Sequence, residues 1–283
     1  MLLVQLLVAG LAPTLHGAEE TKPPKGPTTT IVQMSDPQFF FPESRRASKI
    51  PSETLAREAI RFAERVKPAF VIVTGDMVQH RGNKDEIATF WRLFKTLDPK
   101  IPLYCVPGNH DVTHESKSLA EYRKQYGKDY YSLEVGKDRF LVLNSVLLRS
   151  EASKTKATAE QWEWLEAELK KAKKADARHI VVFLHHPLFA MAPHEPEGFY
   201  NLPMQARKRL FQLFQQYGVD AVFAGHYHRN LVNKYRGVEY VTTNSVCAPV
   251  VANDPEGVRV ITLGPDGITH RYVKRADYEN DRK

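Results

Sequence analysis

Five short polar clusters punctuate this sequence, each beginning where an apolar run stops. Asp36 and Gln38 sit two apart in MSDPQFF (34–40). Gly75-Asp76 closes AFVIVTGD, and Pro107-Gly108-Asn109-His110-Asp111 follows IPLYCV. His185-His186-Pro187 ends HIVVFLHHP, and Gly225-His226-Tyr227-His228 ends DAVFAGHYH. Carboxylate, amide oxygen and imidazole are the donors that suit first-row divalent cations. Taken singly, these clusters say little: Gly-Asp is a common turn, and a histidine pair on an apolar strand is more often core than ligand. Gly-His-x-His says more, because alternation in an extended segment aims both imidazoles the same way. All of them in order at the ends of apolar runs point to convergence on cations.

The elements that must carry these residues are legible as periodicities. Short apolar runs predict strands over 30–34, 69–75, 101–106, 139–144, 179–185 and 220–225. Helical stripes run through Leu55, Ala59, Ile60, Ala63 and Val66, through Ile87, Phe90, Trp91, Phe94 and Leu97, and through Leu210, Leu213 and Phe214. Thr158-x-x-Gln161 matches a capping box ahead of Trp162, Leu165 and Leu169. Residues 230–273 read as short strands with no helix between them. Alternating strands and helices closing on strands predict an α/β sandwich with largely buried sheets. Every polar cluster then falls at the C-terminal edge of a strand, where ligand sites of such sheets collect. The adjoining glycines permit tight exits from the strands.

This ordered set resembles the calcineurin-like metallophosphoesterase superfamily, from about residue 30 to residue 273. The resemblance implies a four-layer αββα sandwich of two mixed sheets and a dinuclear metal centre. By position, it implies Asp36, Gln38 and His228 on one metal, Asn109, His185 and His226 on the other, and Asp76 on both. It makes His110 the general acid facing the scissile phosphate and Asp111 the residue that orients it. Gln38 departs from the usual Asp-x-His of the superfamily. A neutral carbonyl oxygen tilts the pair toward Mn²⁺, Mg²⁺ or Fe²⁺ rather than Zn²⁺. Asp36-Pro37-Gln38-Phe39 is similar to the first motif of one branch, the calcineurin-like phosphoesterase domain-containing Ser/Thr protein phosphatases. Segments 130–145, 161–169, 185–189, 198–203, 225–230 and 254–263 also look similar to that branch. Where the branch carries other residues before the proline, this chain has His186, read as a residue behind the ligands or on the surface. Purple acid phosphatases fit less well, because Gln79 stands where they resemble one another in a tyrosine; a colourless protein is expected.

Composition bounds the rest. The chain has 283 residues, 42% hydrophobic and 26% charged, which is ordinary for a soluble globular protein. Two cysteines, Cys105 and Cys247, exclude a disulfide framework and a CxxC metal site; both read as free core thiols. The formal charge of +7 favours anionic partners, although Lys170-Lys171 and Lys173-Lys174 read as a solvated helix face. No interleaved aromatic and basic stretch encourages a nucleic-acid partner. Residues 1–17 resemble a secretory leader with an apolar run too short to span a bilayer, which predicts a secreted or periplasmic protein without a stable membrane anchor once the leader is removed. Residues 18–29 read as a proline-rich linker, 30–275 as the domain and 276–283 as a charged tail. Phosphorylated small molecules or phosphoproteins are the expected substrates, with Asn201 and Arg229 contacting phosphate. A phosphodiesterase or nuclease using the same centre, and a non-catalytic metal-binding module, stay open at this point.

Overall fold

Alternation along the strands decides the architecture. The structure, a computed structural model, describes residues 26–149 and 155–281; the leader and all but the end of the linker lie outside the described residues. In β1 (Thr29–Met34) and β2 (Phe70–Val73), Ile31, Phe70 and Ile72 face one way while Val32, Met34, Val71 and Val73 face the other. Both faces are buried, so each strand needs a packed layer on either side. The two strands pair in parallel with β3 (Leu103–Cys105) on one flank. On the other flank β10 (Gly257–Gly264) runs antiparallel to β1, followed by β11 (Gly267–Lys274), giving a five-stranded sheet ordered β11-β10-β1-β2-β3.

The second sheet has six strands, ordered β4-β5-β6-β7-β9-β8. They are β4 (Tyr131–Val135), β5 (Asp138–Val142), β6 (His179–Phe183), β7 (Ala221–Ala224), β8 (Leu231–Tyr235) and β9 (Val238–Thr242). Phe140, Val181, Phe183 and Phe223 meet Ile31, Phe70 and Ile261 in a core between the sheets. Phe70 meets Phe140 edge-on at 5.2 Å, and Phe183 stacks on Phe223 at 5.7 Å. Each such ring contributes roughly 1.5–3 kcal/mol by leaving water. Outside the first sheet lie α1 (Ser52–Val66), α2 (Lys84–Phe94) and α3 (Ser116–Tyr126); outside the second lie α5 (Lys156–Lys174) and α6 (Met204–Tyr217), after the short α4 (Ser145–Arg149). The molecule is therefore the expected four-layer αββα sandwich of two mixed sheets.

Three sequence readings need correction or extension. The α5 start lies earlier than the capping-box reading placed it: Thr155 is the cap, accepting the Thr158 amide at 3.2 Å. Helix α3 and strand β4 were not read, because their burial is broken and their apolar stripes are short. The charged end is docked: Tyr278 is buried, stacks on Phe62 at 4.6 Å and accepts a hydrogen bond from Arg65 through its carbonyl. Cys105 and Cys247 are free and buried, as read.

Candidate metal centre

The polar clusters converge at one end of the cleft between the sheets. His185 extends the parity of Val181 and Phe183 beyond β6, which turns its ring inward. Asp36 (φ 48°), Gln38 (37°), Asp76 (52°), His226 (66°) and His228 (49°) all adopt left-handed backbone conformations. That region is unfavourable for residues with a Cβ and collects at functional sites. Here it folds each strand exit back sharply, and the exits bind one another: Asp36 N–H donates to Gly75 O at 3.2 Å, Gln38 N–H to Asp76 O at 2.9 Å and Gly225 N–H to His185 O at 2.9 Å. Glycine is required at two of these exits by close approach. A Cβ on Gly108 would stand 2.2 Å from Asp76 Oδ1, and one on Gly225 would stand 2.0 Å from Ser35 Oγ.

The imidazoles of His110, His185, His226 and His228 are each oriented by a main-chain carbonyl. A carbonyl only accepts, so the ring nitrogen facing it carries the proton and the other nitrogen is left free. His185 donates Nδ1–H to Thr74 O at 2.8 Å, and His228 donates Nδ1–H to Ala248 O at 2.6 Å. His226 donates Nε2–H to Phe199 O at 2.9 Å, and His110 donates Nδ1–H to Gln79 O at 2.6 Å. The free His185 Nε2 lies 3.1 Å from Asn109 Oδ1 and 3.2 Å from Asp76 Oδ2. The free His228 Nε2 lies 3.3 Å from Asp36 Oδ1. Asp36 Oδ2 is occupied by the Ser35 hydroxyl and by His226 N–H at 3.0 Å, whereas Asp36 Oδ1 and Gln38 Oε1 are buried and have no hydrogen-bond partner among the described residues. Asp36, Asp76 and His185 offer ligand atoms within 4.8 Å of one another, as do His185, His186 and His226.

The electrostatics follow from crowding lone pairs in a buried place. Burial disfavours the Asp76 carboxylate, but the imidazoles of His185, His110 and His226 override it and hold this group below the usual range. Asp36 is lowered in the same way, against its burial, by His228 and His185. Burial pulls the His185 imidazolium down, yet Asp76 and Asp36 outweigh it and raise the group to about 9. His226, with less carboxylate near it, is pushed by burial and by His185 to about 3. A proton on His185 thus stands where electron-rich atoms would otherwise repel one another. The donor set and the two orphaned oxygens fit divalent cations at the same place.

Other sequence-predicted residues land elsewhere. Asp111 does not orient His110. Its Oδ1 accepts the Met77 amide at 2.9 Å and its Oδ2 the Gly108 amide at 2.9 Å, so it knits the two loops; burial and then Asp76 raise it to about 7. The Gln79 carbonyl takes the orienting role. Asn201 is spent inside its own loop, donating to Glu195 Oε1 (2.6 Å) and Pro196 O (2.9 Å) and accepting from Gly198 N–H (2.8 Å). It has no capacity left for phosphate, and it holds the loop whose Phe199 carbonyl fixes His226. His186 is buried, not superficial; its Nδ1 bonds Ser145 Oγ at 2.8 Å and its ring lies 4.3 Å from that of His226. Arg229 is exposed, with its guanidinium 5.6 Å from the Tyr227 ring. The sequence reading missed Gln33, Ser35, Thr74, Thr243 and Arg259 around Asp36. The available signal was a polar residue inside an apolar strand run, as in TIVQM and VRVITL.

Comparison with known proteins agrees with this geometry. The sequence pattern of the family described as calcineurin-like phosphoesterase matches residues 29–230. The serine/threonine-protein phosphatase CPPED1 of Bos taurus is 34% identical over 90% of this chain and 86% of its own length. Its counterpart in Rattus norvegicus is 32% identical over 86% of this chain and 82% of its own. Among solved structures, a dimetal phosphatase from Danio rerio superposes with a TM-score of 0.68 at 14% identity, over 88% of this chain and 97% of that one. A purple acid phosphatase, PPD1 from yellow lupin, gives 0.68 at 17% identity over 90% of this chain and 53% of that one. These distant structures share the fold. The extent of the family match and the relatives at more than 30% identity settle the classification: the chain belongs to the calcineurin-like phosphoesterases, hydrolases of phosphoric esters.

Proposed function

We propose that the protein is a metal-dependent phosphomonoesterase acting on phosphorylated small molecules or phosphoproteins. The observation that carries the reading is the set of carbonyl-anchored imidazoles whose free nitrogens face Asp36, Asp76 and Asn109, beside the buried and unpartnered Asp36 Oδ1 and Gln38 Oε1. Asp36, Gln38 and His228 would hold one cation, Asn109, His185 and His226 the other, with Asp76 serving both. Two bound divalent ions supply charge neutralisation for phosphoryl oxygens and acidify water at neutral pH. Paired carboxylates and amide oxygens favour Mn²⁺, Mg²⁺ or Fe²⁺ over Zn²⁺.

His110 sits beside this cluster, bonded through its amide to Asp76. Its Nδ1–H is committed to Gln79 O and its own amide to Asp76 Oδ1 at 2.8 Å, so Nε2 is the atom that can pass a proton to a departing oxygen. His110→Ala is expected to keep both cations and lose about 10²–10⁴-fold in turnover, as read by phosphate release alongside metal content. Full activity of that variant on an ester with a poor leaving group removes His110 from the mechanism. Arg229, exposed beside His228, suits a bidentate contact with phosphate. The similarity to a serine/threonine-protein phosphatase supports including phosphoproteins. Turnover of p-nitrophenyl phosphate against its bis ester tests monoester preference; faster cleavage of the bis ester favours the diesterase reading. Export to a secreted or periplasmic location, from the leader at 1–17, belongs to the same proposal and is tested by amino-terminal sequencing of recovered protein.

A further inference from the structure

A chain of hydrogen bonds runs from a buried arginine to Asp36, and each bond in it points the same way. Arg259 in β10, 2% exposed, donates Nε–H to Thr243 Oγ1 at 2.8 Å. Thr243 donates its hydroxyl to Gln33 Oε1 at 2.8 Å, and Gln33 donates Nε2–H to Thr74 Oγ1 at 3.0 Å. Thr74 lies 2.8 Å from Ser35 Oγ, with the Met34 carbonyl as a longer alternative at 3.3 Å, and Ser35 donates to Asp36 Oδ2.

The direction is fixed by chemistry at both ends and in the middle. A guanidinium only donates and an ionised carboxylate only accepts. Gln33 cannot be flipped, because its Nε2 also faces the Ala224 carbonyl at 3.2 Å, which only accepts. The column crosses between the sheets: Gln33 and Arg259 belong to the first, whereas Thr243 and Ala224 end strands of the second. Its effect is asymmetric. Asp36 Oδ2 accepts two hydrogen bonds, so Oδ1 is the oxygen turned toward His228 Nε2 and left without a hydrogen-bond partner among the described residues.

The guanidinium itself makes no carboxylate ion pair among the described residues. Its remaining bonds go to His270 Nδ1 (2.9 Å) and Asn230 Oδ1 (2.9 Å), which in turn meet Glu239 (3.1 Å) and Asp254 (2.7 Å). The guanidinium also lies over the Tyr272 ring at 5.7 Å; a buried charge without a direct carboxylate partner is costly, and an apolar side chain at this point of the strand would avoid that cost.

We infer that Arg259 is a positioning residue for the first cation: through Thr243, Gln33, Thr74 and Ser35 it locks the Asp36 carboxylate with Oδ1 toward the ion shared with Gln38 and His228. The inference rests on the ligand set proposed above. It also explains how a site with neutral Gln38 in place of an imidazole keeps its ion: the carboxylate that belongs to that site alone is prevented from turning away.

The experiment counts Mn²⁺ per chain at defined free Mn²⁺ for the wild type, Thr243→Val, Thr243→Ser and Arg259→Lys, with near-ultraviolet circular dichroism confirming the fold. Loss of partners behind ligands typically weakens metal affinity by about 10–100-fold. Thr243→Val and Arg259→Lys are expected to weaken one Mn²⁺ by that factor and leave the other unchanged, so that the exchange-coupled Mn²⁺ resonance gives way to a single-ion spectrum. Thr243→Ser, which keeps the hydroxyl, is expected to bind both as the wild type does. Equal weakening of both ions, or of neither, in folded variants overturns the inference. If Thr243→Val does not fold, Ser35→Ala cuts the same chain at its last link and is judged by the same outcomes. A wild type that takes up no Mn²⁺ refutes the ligand set itself, a result distinct from either.

Discussion

His185 carries the clearest consequence of the site's electrostatics. Its imidazole is raised to about 9 by Asp76 and Asp36 against its burial, so the metal-free protein holds a proton there at neutral pH. Because the folded group binds that proton more tightly than the unfolded chain does, the ion pair stabilises the metal-free fold below the unfolded value near 6.5 and is lost as pH rises through about 9. A cation needs the same nitrogen unprotonated. Cation affinity should therefore rise with pH up to about 9, with a proton released on binding near pH 7.5. Titration calorimetry in buffers of differing ionisation enthalpy measures this release; identical apparent enthalpies in all of them contradict it. At this scale the sequence was informative about side chains: the clusters holding Asp36, Gln38, Asp76, Asn109, His185, His226 and His228 stood out by type and position. Their assignment to two cations came from the family resemblance, and the structure brings these residues together. The sequence was silent on Thr74 O, Phe199 O and Ala248 O, because a main-chain carbonyl has the same chemistry in every residue. The Asp111 reading failed for a related reason: adjacency to His110 did not reveal that backbone amides would claim the carboxylate.

Elements were read best where their own periodicity sufficed. The runs at 69–75, 179–185 and 220–225 alternate between two apolar layers, and the structure gives them as β2, β6 and β7. What escaped was pairing over long separations, such as β10 returning from the end of the chain to lie beside β1. No local pattern encodes that choice; the match of buried faces between sheets does. The turns between elements impose a sharper demand. Gly108→Ala would drive a methyl group into Asp76 Oδ1, an approach of 2.2 Å. Overpacking of this kind costs about 1–3 kcal/mol, and relief by moving Asp76 would sacrifice the shared ligand position proposed for it. The expected outcome is a lowered melting temperature together with weaker binding of both cations. Gly198→Ala, where an added Cβ meets nothing within 4 Å, should leave both unchanged. Equal behaviour of the two variants contradicts the steric account.

At the scale of the whole molecule, the candidate ligands are drawn from both sheets. Asp36, Asp76 and Asn109 follow strands of the first, and His185, His226 and His228 follow strands of the second. Bound cations would add a link between two layers that meet through apolar side chains such as Phe70, Phe140 and Phe183 and through hydrogen bonds such as that from Thr243 to Gln33. A ligand present at 100 times its dissociation constant adds about 2.7 kcal/mol to the stability of the form that binds it. Chelation should accordingly lower the melting temperature by roughly 5–10 °C in a chain of this size, with restoration by Mn²⁺; an unchanged transition after verified metal removal contradicts the bridging arrangement. Cations at the motif end would give the seam a further property. With the ions withdrawn, the sandwich should part from the motif end first, like a clasp opening, while the stacked phenylalanines deeper in the seam stay shut. The durability of the protein would then be a gauge of the free metal around it, and scarcity would mark it for proteolysis at the loops proposed to hold the cations.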